Sequence, residues 1–356
     1  MQGHGILSPG TSARSDTGFA LFLINFMVLK SWFLFCMVAC VYVGTLRRIR
    51  CEWFPMFNQY NLDEIRDRAR AAFAGMAIGD ALGATVEFMT VPEIGAKYGI
   101  FRDIVGGGWL RLKPGQVTDD TEMALCIARA IVANQGWSLE AIARNFAAWL
   151  KSRPVDCGDT CRKGIRAFIL GGTLEVPPNE WDAGNGAAMR MLPVALYSLP
   201  DELLLKKYAV EQAHLTHNNP VSDAACICLG ELLHLALCGA SKSRLRRQVD
   251  GLTARFPTFC FEPYRGLASA YVVDTLQTVF HWFFRGKNFE ECVMGTVNQG
   301  GDADTTGAIC GMLAGAYYGM EHIPQRWLKK MDRKVMVEID DMARRLVAAS
   351  PAGRMM

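Results

Sequence analysis

Three acidic groupings in this chain carry more carboxylates than local structure requires. Glu87 ends the run G-D-A-L-G-A-T-V-E. Thr118-Asp119-Asp120-Thr121-Glu122 follows the Gly106-Gly107-Gly108 loop. Asp302-Ala303-Asp304-Thr305-Thr306 follows Gly300-Gly301. Taken singly, each has an ordinary reading: Asp119 with Glu122 fits a helix capping box, and Asp304 or Thr305 fits an N-cap. Taken together, adjacent carboxylates at 119/120 and alternate ones at 302/304 exceed what caps need. Like charges held close together repel unless a cation lies between them. Donors that are all oxygen favour hard divalent ions, Mg²⁺ or Mn²⁺, over zinc. The stretch D-A-D-T-T-G from Asp302 imitates the start of a calcium loop, but its twelfth position is Leu313 where a bidentate Glu is needed.

Other chemistries are poorly served. The chain has no G-x-x-x-x-G-K-[ST], no G-x-S-x-G and no H-E-x-x-H. No C-x-x-C pair exists among the 12 cysteines, which removes zinc ribbons and thioredoxin-like redox motifs. Several cysteines lie in apolar helical runs, as buried reduced thiols would. His214 and His217 are polar candidates or structural hydrogen-bonding groups. Asp156, Asp159 and the Asn185-Gly186 turn line a pocket in one reading and serve as turn and cap residues in the other.

The elements that must position these groups are helical. Apolar residues recur at helical spacing in 272–283 and 289–297, and the segments 62–80, 121–134, 138–151, 185–198, 219–238, 305–319 and 334–348 also read as helices. Breaks rich in Gly, Pro and Asp fall at 90–118 and 171–184. Alternating strand patterns are almost absent. Two glycine stripes stand out: Gly75, Gly79 and Gly83, and Gly307, Gly311 and Gly315. Glycine costs about 1 kcal/mol per helical site relative to alanine. Close approach of two backbones is the gain that offsets it, so the two striped helices are expected to meet in the core and bring their acidic ends together. The expected fold is a single-domain, all-α protein over residues 56–356.

The chain has 356 residues, 51% of them hydrophobic, enough for a sizeable core. Its +3 charge belongs to residues 1–55, since the rest carries equal numbers of basic and acidic side chains; a nucleic-acid partner is disfavoured. Residues 18–46 form an apolar stretch broken by Lys30, followed by Arg47-Arg48-x-Arg50. Three readings compete for this extension: a membrane anchor with the following domain cytoplasmic, a buried helix, or a start assigned upstream of a true one at Met56.

These motifs, in this order, resemble the ADP-ribosylglycohydrolase family. The resemblance runs from about residue 63 to about 345 and is carried by GMAIGDALGATVEFM, GGGWLRLKPGQVTDDTEMAL, WLKSRPVDCGDTCRKGIR, DAGNGAAMR, THNNPVSDAA, FEPYRGLASAYVVDT and VNQGGDADTTGA. It implies an orthogonal all-α helical bundle with two divalent cations, Mn²⁺ or Mg²⁺, held by Thr118, Asp119, Asp120, Asp302, Asp304 and Thr305. It implies that Glu87 and Asp156 act in catalysis. It assigns Gly106, Gly107, Gly108, Asp159, Asn185, Gly186, His217 and Tyr271 to substrate binding, with Asp159 standing where relatives often carry Asn. The implied reaction removes ADP-ribose from an arginine of dinitrogenase reductase, the nitrogenase iron protein. Implied regulators are a PII-type nitrogen-signalling protein and an ammonium channel, with a cytoplasmic location and reversible membrane docking. The competing functions are hydrolysis of serine-linked or polymeric ADP-ribose, and a non-catalytic binder that kept the fold.

Overall fold

The structure, a computed structural model, describes residues 61–354. The expectations for residues 1–55 lie outside the described residues. The helices are α1 (Leu62–Gly83), α2 (Val91–Tyr98), α3 (Asp119–Ala133), α4 (Leu139–Lys151), α5 (Asp159–Gly171), α6 (Leu192–Ser198), α7 (Glu202–His214), α8 (Pro220–Leu237), α9 (Lys242–Arg255), α10 (Val272–Arg285), α11 (Phe289–Val297), α12 (Ala303–Tyr318), α13 (Gln325–Leu328), α14 (Arg333–Ala349) and α15 (Pro351–Arg354). Among the described residues, β pairing is confined to two isolated bridges, Gly107 with Leu112 and Gly184 with Tyr271. The all-α reading holds.

The centre of the bundle is the antiparallel crossing of α1 and α12, made by the two glycine stripes. A Cβ placed on Gly75 would overlap the carbonyl oxygen of Gly311; one on Gly79, that of Gly307; one on Gly83, that of Ala303. From the other side, Gly311 meets Gly75 and Gly315 meets Ala71. Every four-residue step along α1 is thus matched by a four-residue step back along α12. Both helices are buried on all faces here, α1 from Ala71 to Gly83 and α12 from Ala303 to Ala316. α12 also packs against α8, α10 and α11, and α1 against α3 and α14. Large side chains such as Phe73, Phe280, Phe283, Phe289 and Trp327 are fully buried around this axis. Each contributes roughly 1.5–3 kcal/mol by leaving water.

Some elements depart from the sequence pattern. The break at 90–118 contains α2, opened by a capping box in which Thr90 and Glu93 bond each other's backbone. The expected helix at 185–198 is divided: a 3-10 turn at Asn185–Ala187 precedes α6, with Pro193 at its start. Among the described residues, Pro220–Leu237 is long and apolar enough to cross a membrane, and 72% of it is buried in the protein. That burial is what a core helix shows. The nine described cysteines are all free thiols, and only Cys260 is exposed.

Candidate active site

The antiparallel crossing brings the C-terminal end of α1 to the N-terminal end of α12. Glu87 therefore meets Asp302 and Asp304, and the three buried carboxylates offer oxygens within 4.8 Å of one another. The second acidic grouping arrives by a different route. Asp80, buried on α1 between Gly79 and Gly83, accepts hydrogen bonds from the backbone of Thr118 (3.0 Å) and Thr121 (3.2 Å) and from the Thr118 (3.0 Å) and Thr121 (2.6 Å) hydroxyls. Asp80 thereby caps α3 from another helix. Sequence reasoning assigned Asp80 no role.

That arrangement overturns the capping expectations. Thr118 is the N-cap of α3 and its side chain makes no cap bond; Asp302 is the N-cap of α12 and likewise makes none. Glu122 accepts instead from the Trp149 indole (2.6 Å). The carboxylates of Asp119, Asp120 and Asp302 are thus not used in closing their own helix starts, and Asp304 gives only Oδ1 to its own, accepting from Thr305 N (2.8 Å). Asp119 Oδ2 accepts from Gly158 N (3.2 Å). Asp120 Oδ2 accepts from the hydroxyls of Thr118 (3.3 Å) and Thr305 (3.2 Å), which ties the two helix starts together. Asp302 Oδ2 accepts from Asn185 Nδ2 (2.7 Å), itself bonded to Thr275 (3.0 Å).

The electrostatics are strained without a countercharge. Burial, reinforced by the neighbouring carboxylates, raises Asp119, Asp120 and Asp304 well above the usual carboxylate range. Burial first, then the charges of Asp302 and Asp156, pushes Glu87 up to about 8 against the pull of the Trp109 indole. No Lys or Arg is among the principal influences on these four groups. Asp120 Oδ1 is buried with no hydrogen-bond partner. A buried charged oxygen left unpaired is costly. An oxygen-only donor set with an orphaned carboxylate oxygen fits a hard divalent cation.

A cleft of about 330 Å³ opens onto these groups. Of the residues expected from sequence, Glu87, Asp119, Asp156, Asp159, Asn185, Gly186, His217, Asp302, Asp304 and Thr305 line it. Thr118 and Asp120 lie buried behind them. The Gly106–Gly108 turn does not line the cleft; all three glycines have positive φ (71°, 87° and 69°), and the turn delivers Trp109, which does line it. Tyr271 is half-exposed and is not in the lining; its backbone pairs with Gly184. Asp159 opens α5 and forms an exposed ion pair with Arg162 (2.7 Å). His214 lies apart from the cleft, bonded to Glu175 and Asp223.

His217 is held by a chain that sequence reasoning missed. The fully buried Arg190 guanidinium donates to the Gln212 side chain (2.7 Å), the Gln212 carbonyl (2.8 Å) and the Thr216 hydroxyl (2.8 Å). With Thr216 Oγ1 accepting from Arg190, its proton faces His217 Nδ1 at 2.7 Å. This implies that Nε2 carries the ring proton, towards the Gly184–Gly186 turn. Burial, with Arg190 second, pushes His217 down to about 3, so the ring is neutral. Glycine is required at 186: a Cβ would lie 2.9 Å from His217 Cε1 and 2.8 Å from Cys161 Sγ.

Known proteins resemble this chain over most of its length. The ADP-ribosylglycohydrolase family model matches residues 61–354. The chain is 54% identical over 275 residues to the ADP-ribosyl-[dinitrogen reductase] glycohydrolase of Rhodospirillum rubrum, covering 77% of this chain and 94% of that protein. It is 30% identical over 303 residues to the ADP-ribosylarginine hydrolase Tri1 of Serratia proteamaculans (strain 568), covering 81% of each. A solved structure described as an ADP-ribosylglycohydrolase-related protein complex superposes with a TM-score of 0.72 at 33% identity, over 81% of this chain and 99% of that one. The chain belongs to the ADP-ribosylglycohydrolase family.

Proposed function

We propose that this protein is a divalent-metal-dependent hydrolase that removes ADP-ribose from an arginine of dinitrogenase reductase. The observation that supports it most is the convergence of Glu87, Asp119, Asp302 and Asp304 on one cleft, with an unpartnered Asp120 oxygen buried behind them. The name of the Rhodospirillum rubrum relative supports the substrate. Asp119, Asp120, Asp302 and Asp304, with the hydroxyls of Thr118 and Thr305, are the residues that would hold the cations. Mn²⁺ or Mg²⁺ held there would supply positive charge to the site and make a bound water more acidic.

The chain's own residues do the rest. Asn185 fixes the orientation of Asp302 through its 2.7 Å bond. The neutral His217 ring offers its Nε2 proton to a ribose hydroxyl or phosphate oxygen. The turns at Gly158 and Gly184–Gly186 bring backbone to the same wall, beside Arg162, where a pyrophosphate can be received. Cleavage at the anomeric carbon passes through an oxocarbenium-like state, and the departing guanidine nitrogen needs a proton. Asp156 is placed to give it: the Cys157 amide holds Oδ1 (2.7 Å), and no described protein group bonds the other oxygen. Burial raises its pKa, which favours the protonated form an acid requires. Glu87, clamped by the Trp109 indole (2.6 Å), is fixed at the mouth of the cleft, where it can position the attacking water.

The test is release of free ADP-ribose from ADP-ribosyl-arginine by the purified full-length protein with Mn²⁺. Release is expected, and Asp120→Ala and Asp304→Ala should each reduce it by at least about a thousandfold. Hydrolysis of serine-linked ADP-ribose with none of the arginine-linked compound would overturn the substrate assignment.

A further inference from the structure

Beyond the cleft lies a second concavity of about 640 Å³ that the reaction just described leaves unused. Glu87, Phe88 and Trp109 line both, so the two are continuous across one aromatic lip. The lip is built at a cost. Phe88 has φ of 61°, a backbone region that a bulky residue rarely occupies. Its ring centroid sits 5.4 Å from that of Trp109, whose indole is anchored on Glu87. Even so, Phe88 and Trp109 remain 65% and 53% exposed. Aromatic surface held in water by a strained backbone points to something that covers it.

The far wall of the concavity is α2, which buries only Ile94 and presents Glu93, Ala96 and Lys97 to the groove. Glu87 belongs to the cleft's carboxylate group, and Glu93 offsets Lys97, so no cationic surplus stands here to receive a pyrophosphate. Arg162 and the turns at Gly158 and Gly184–Gly186, proposed above to receive the pyrophosphate, line the cleft and not this concavity, which Gly108 alone of the glycines borders. What leaves the cleft across the lip is therefore the acceptor side of the substrate. An arginine stem lying over the two exposed aromatic faces of Phe88 and Trp109 matches the chemistry of a modified polypeptide.

We propose that this groove seats the polypeptide carrying the modified residue, along α2, with the modified side chain crossing the Phe88–Trp109 lip into the cleft. This rests on the ADP-ribosyl hydrolase reading above. Two substrates separate them: ADP-ribosyl-arginine as the free amino acid, which reaches the cleft alone, and ADP-ribosylated dinitrogenase reductase, which must also dock. Ala96 is exposed on α2. Ala96→Trp fills the groove and should lower kcat/KM for the protein substrate by about tenfold or more, through KM, while release from the free amino acid stays within about twofold. Activity on the free amino acid also reports that the variant has folded; Ala96→Arg, a smaller disturbance to the helix, repeats the test if it has not. Unchanged kcat/KM for the protein substrate, or an equal fall for both substrates in folded variants, overturns the docking groove. Wild-type protein inert towards both substrates overturns the parent reading, and this one with it.

Discussion

Two helix starts carry the candidate metal ligands, and they are built in opposite ways. The start of α3 is held by a side chain: four groups of Thr118 and Thr121 converge on the carboxylate of Asp80. The start of α12 is held by backbone. Gly301 N donates to Met89 O (2.9 Å), Phe88 N to Gly301 O (2.6 Å), and Asp302 N to Ala268 O (2.7 Å). Gly300 and Gly301 have φ of 64° and 60°, and a Cβ on either would overlap a carbonyl oxygen, of Met89 or Ala268. One turn of α1 serves both starts: Gly79 and Gly83 face α12 while Asp80, between them, faces α3. A start pinned by a side chain fails when atoms are removed. A start pinned by backbone contact fails when atoms are added.

The largest effect should come from addition. Gly79→Ala gains about 1 kcal/mol of helix propensity, but the new methyl overlaps the Gly307 carbonyl, and both sides are backbone and cannot swing away. Overpacking should win by a net of about 3 kcal/mol or more in urea unfolding, with loss of soluble protein the extreme case. Gly95→Ala on α2 is the control, since no atom lies within 4 Å of its added Cβ. It should stabilise by up to about 1 kcal/mol. Loss of stability in the control, or a gain at Gly79, would remove the close-approach account of the crossing.

Removal comes next. Asp80→Ala leaves buried donors of Thr118 and Thr121 without their acceptor and should cost about 2–3 kcal/mol, with a fall in Mn²⁺ affinity measured by calorimetry. Asn185→Ala, which frees Asp302 while leaving the backbone clamp of α12 intact, should cost about 1 kcal/mol of stability and about 10–100-fold in Mn²⁺ affinity. Equal stability losses in the two variants would erase the contrast between the starts.

The smallest effect lies away from both. His234 on α8 is buried, bonded to the Ala195 carbonyl (2.9 Å) and Ser198 (3.2 Å), and burial pushes it down to about 4. The unfolded chain takes up a proton there at a higher pH than the folded one. The stability contribution is full above about pH 6.5 and is lost as pH falls towards 4. His234→Gln should flatten that acid limb, equally with and without Mn²⁺. A limb that depends on Mn²⁺ would place the acid sensitivity at the helix starts instead.

Much of this was legible in the sequence. The glycine spacing forecast the crossing because a period of four on two helices has few other uses. The doubled carboxylates forecast the site because local capping leaves them unexplained. What escaped was non-local. Asp80 is 38 residues from the Thr118 groups it holds, and a single Asp within a helix gives no sign of its partner. Arg190 orients His217 through Thr216, and nothing in D-A-G-N-G-A-A-M-R marks that arginine as fully buried. The capping readings of Asp119 and of Asp304 or Thr305 missed the N-cap positions, Thr118 and Asp302, for the same reason: a distant side chain holds one helix start and a backbone clamp the other. The helix at 91–98 was readable from T-V-P-E, a capping box with proline in the first turn, but surrounding glycines and prolines hid it.

The central claim is that these two helix starts trap divalent cations between them. Calorimetric titration of chelator-treated full-length protein with Mn²⁺ tests it most directly. The account predicts two bound ions per chain, with loss of binding in Asp120→Ala and in Asp304→Ala, each variant still folded by circular dichroism. No Mn²⁺ bound to the wild-type protein, or undiminished binding in both variants, would contradict it.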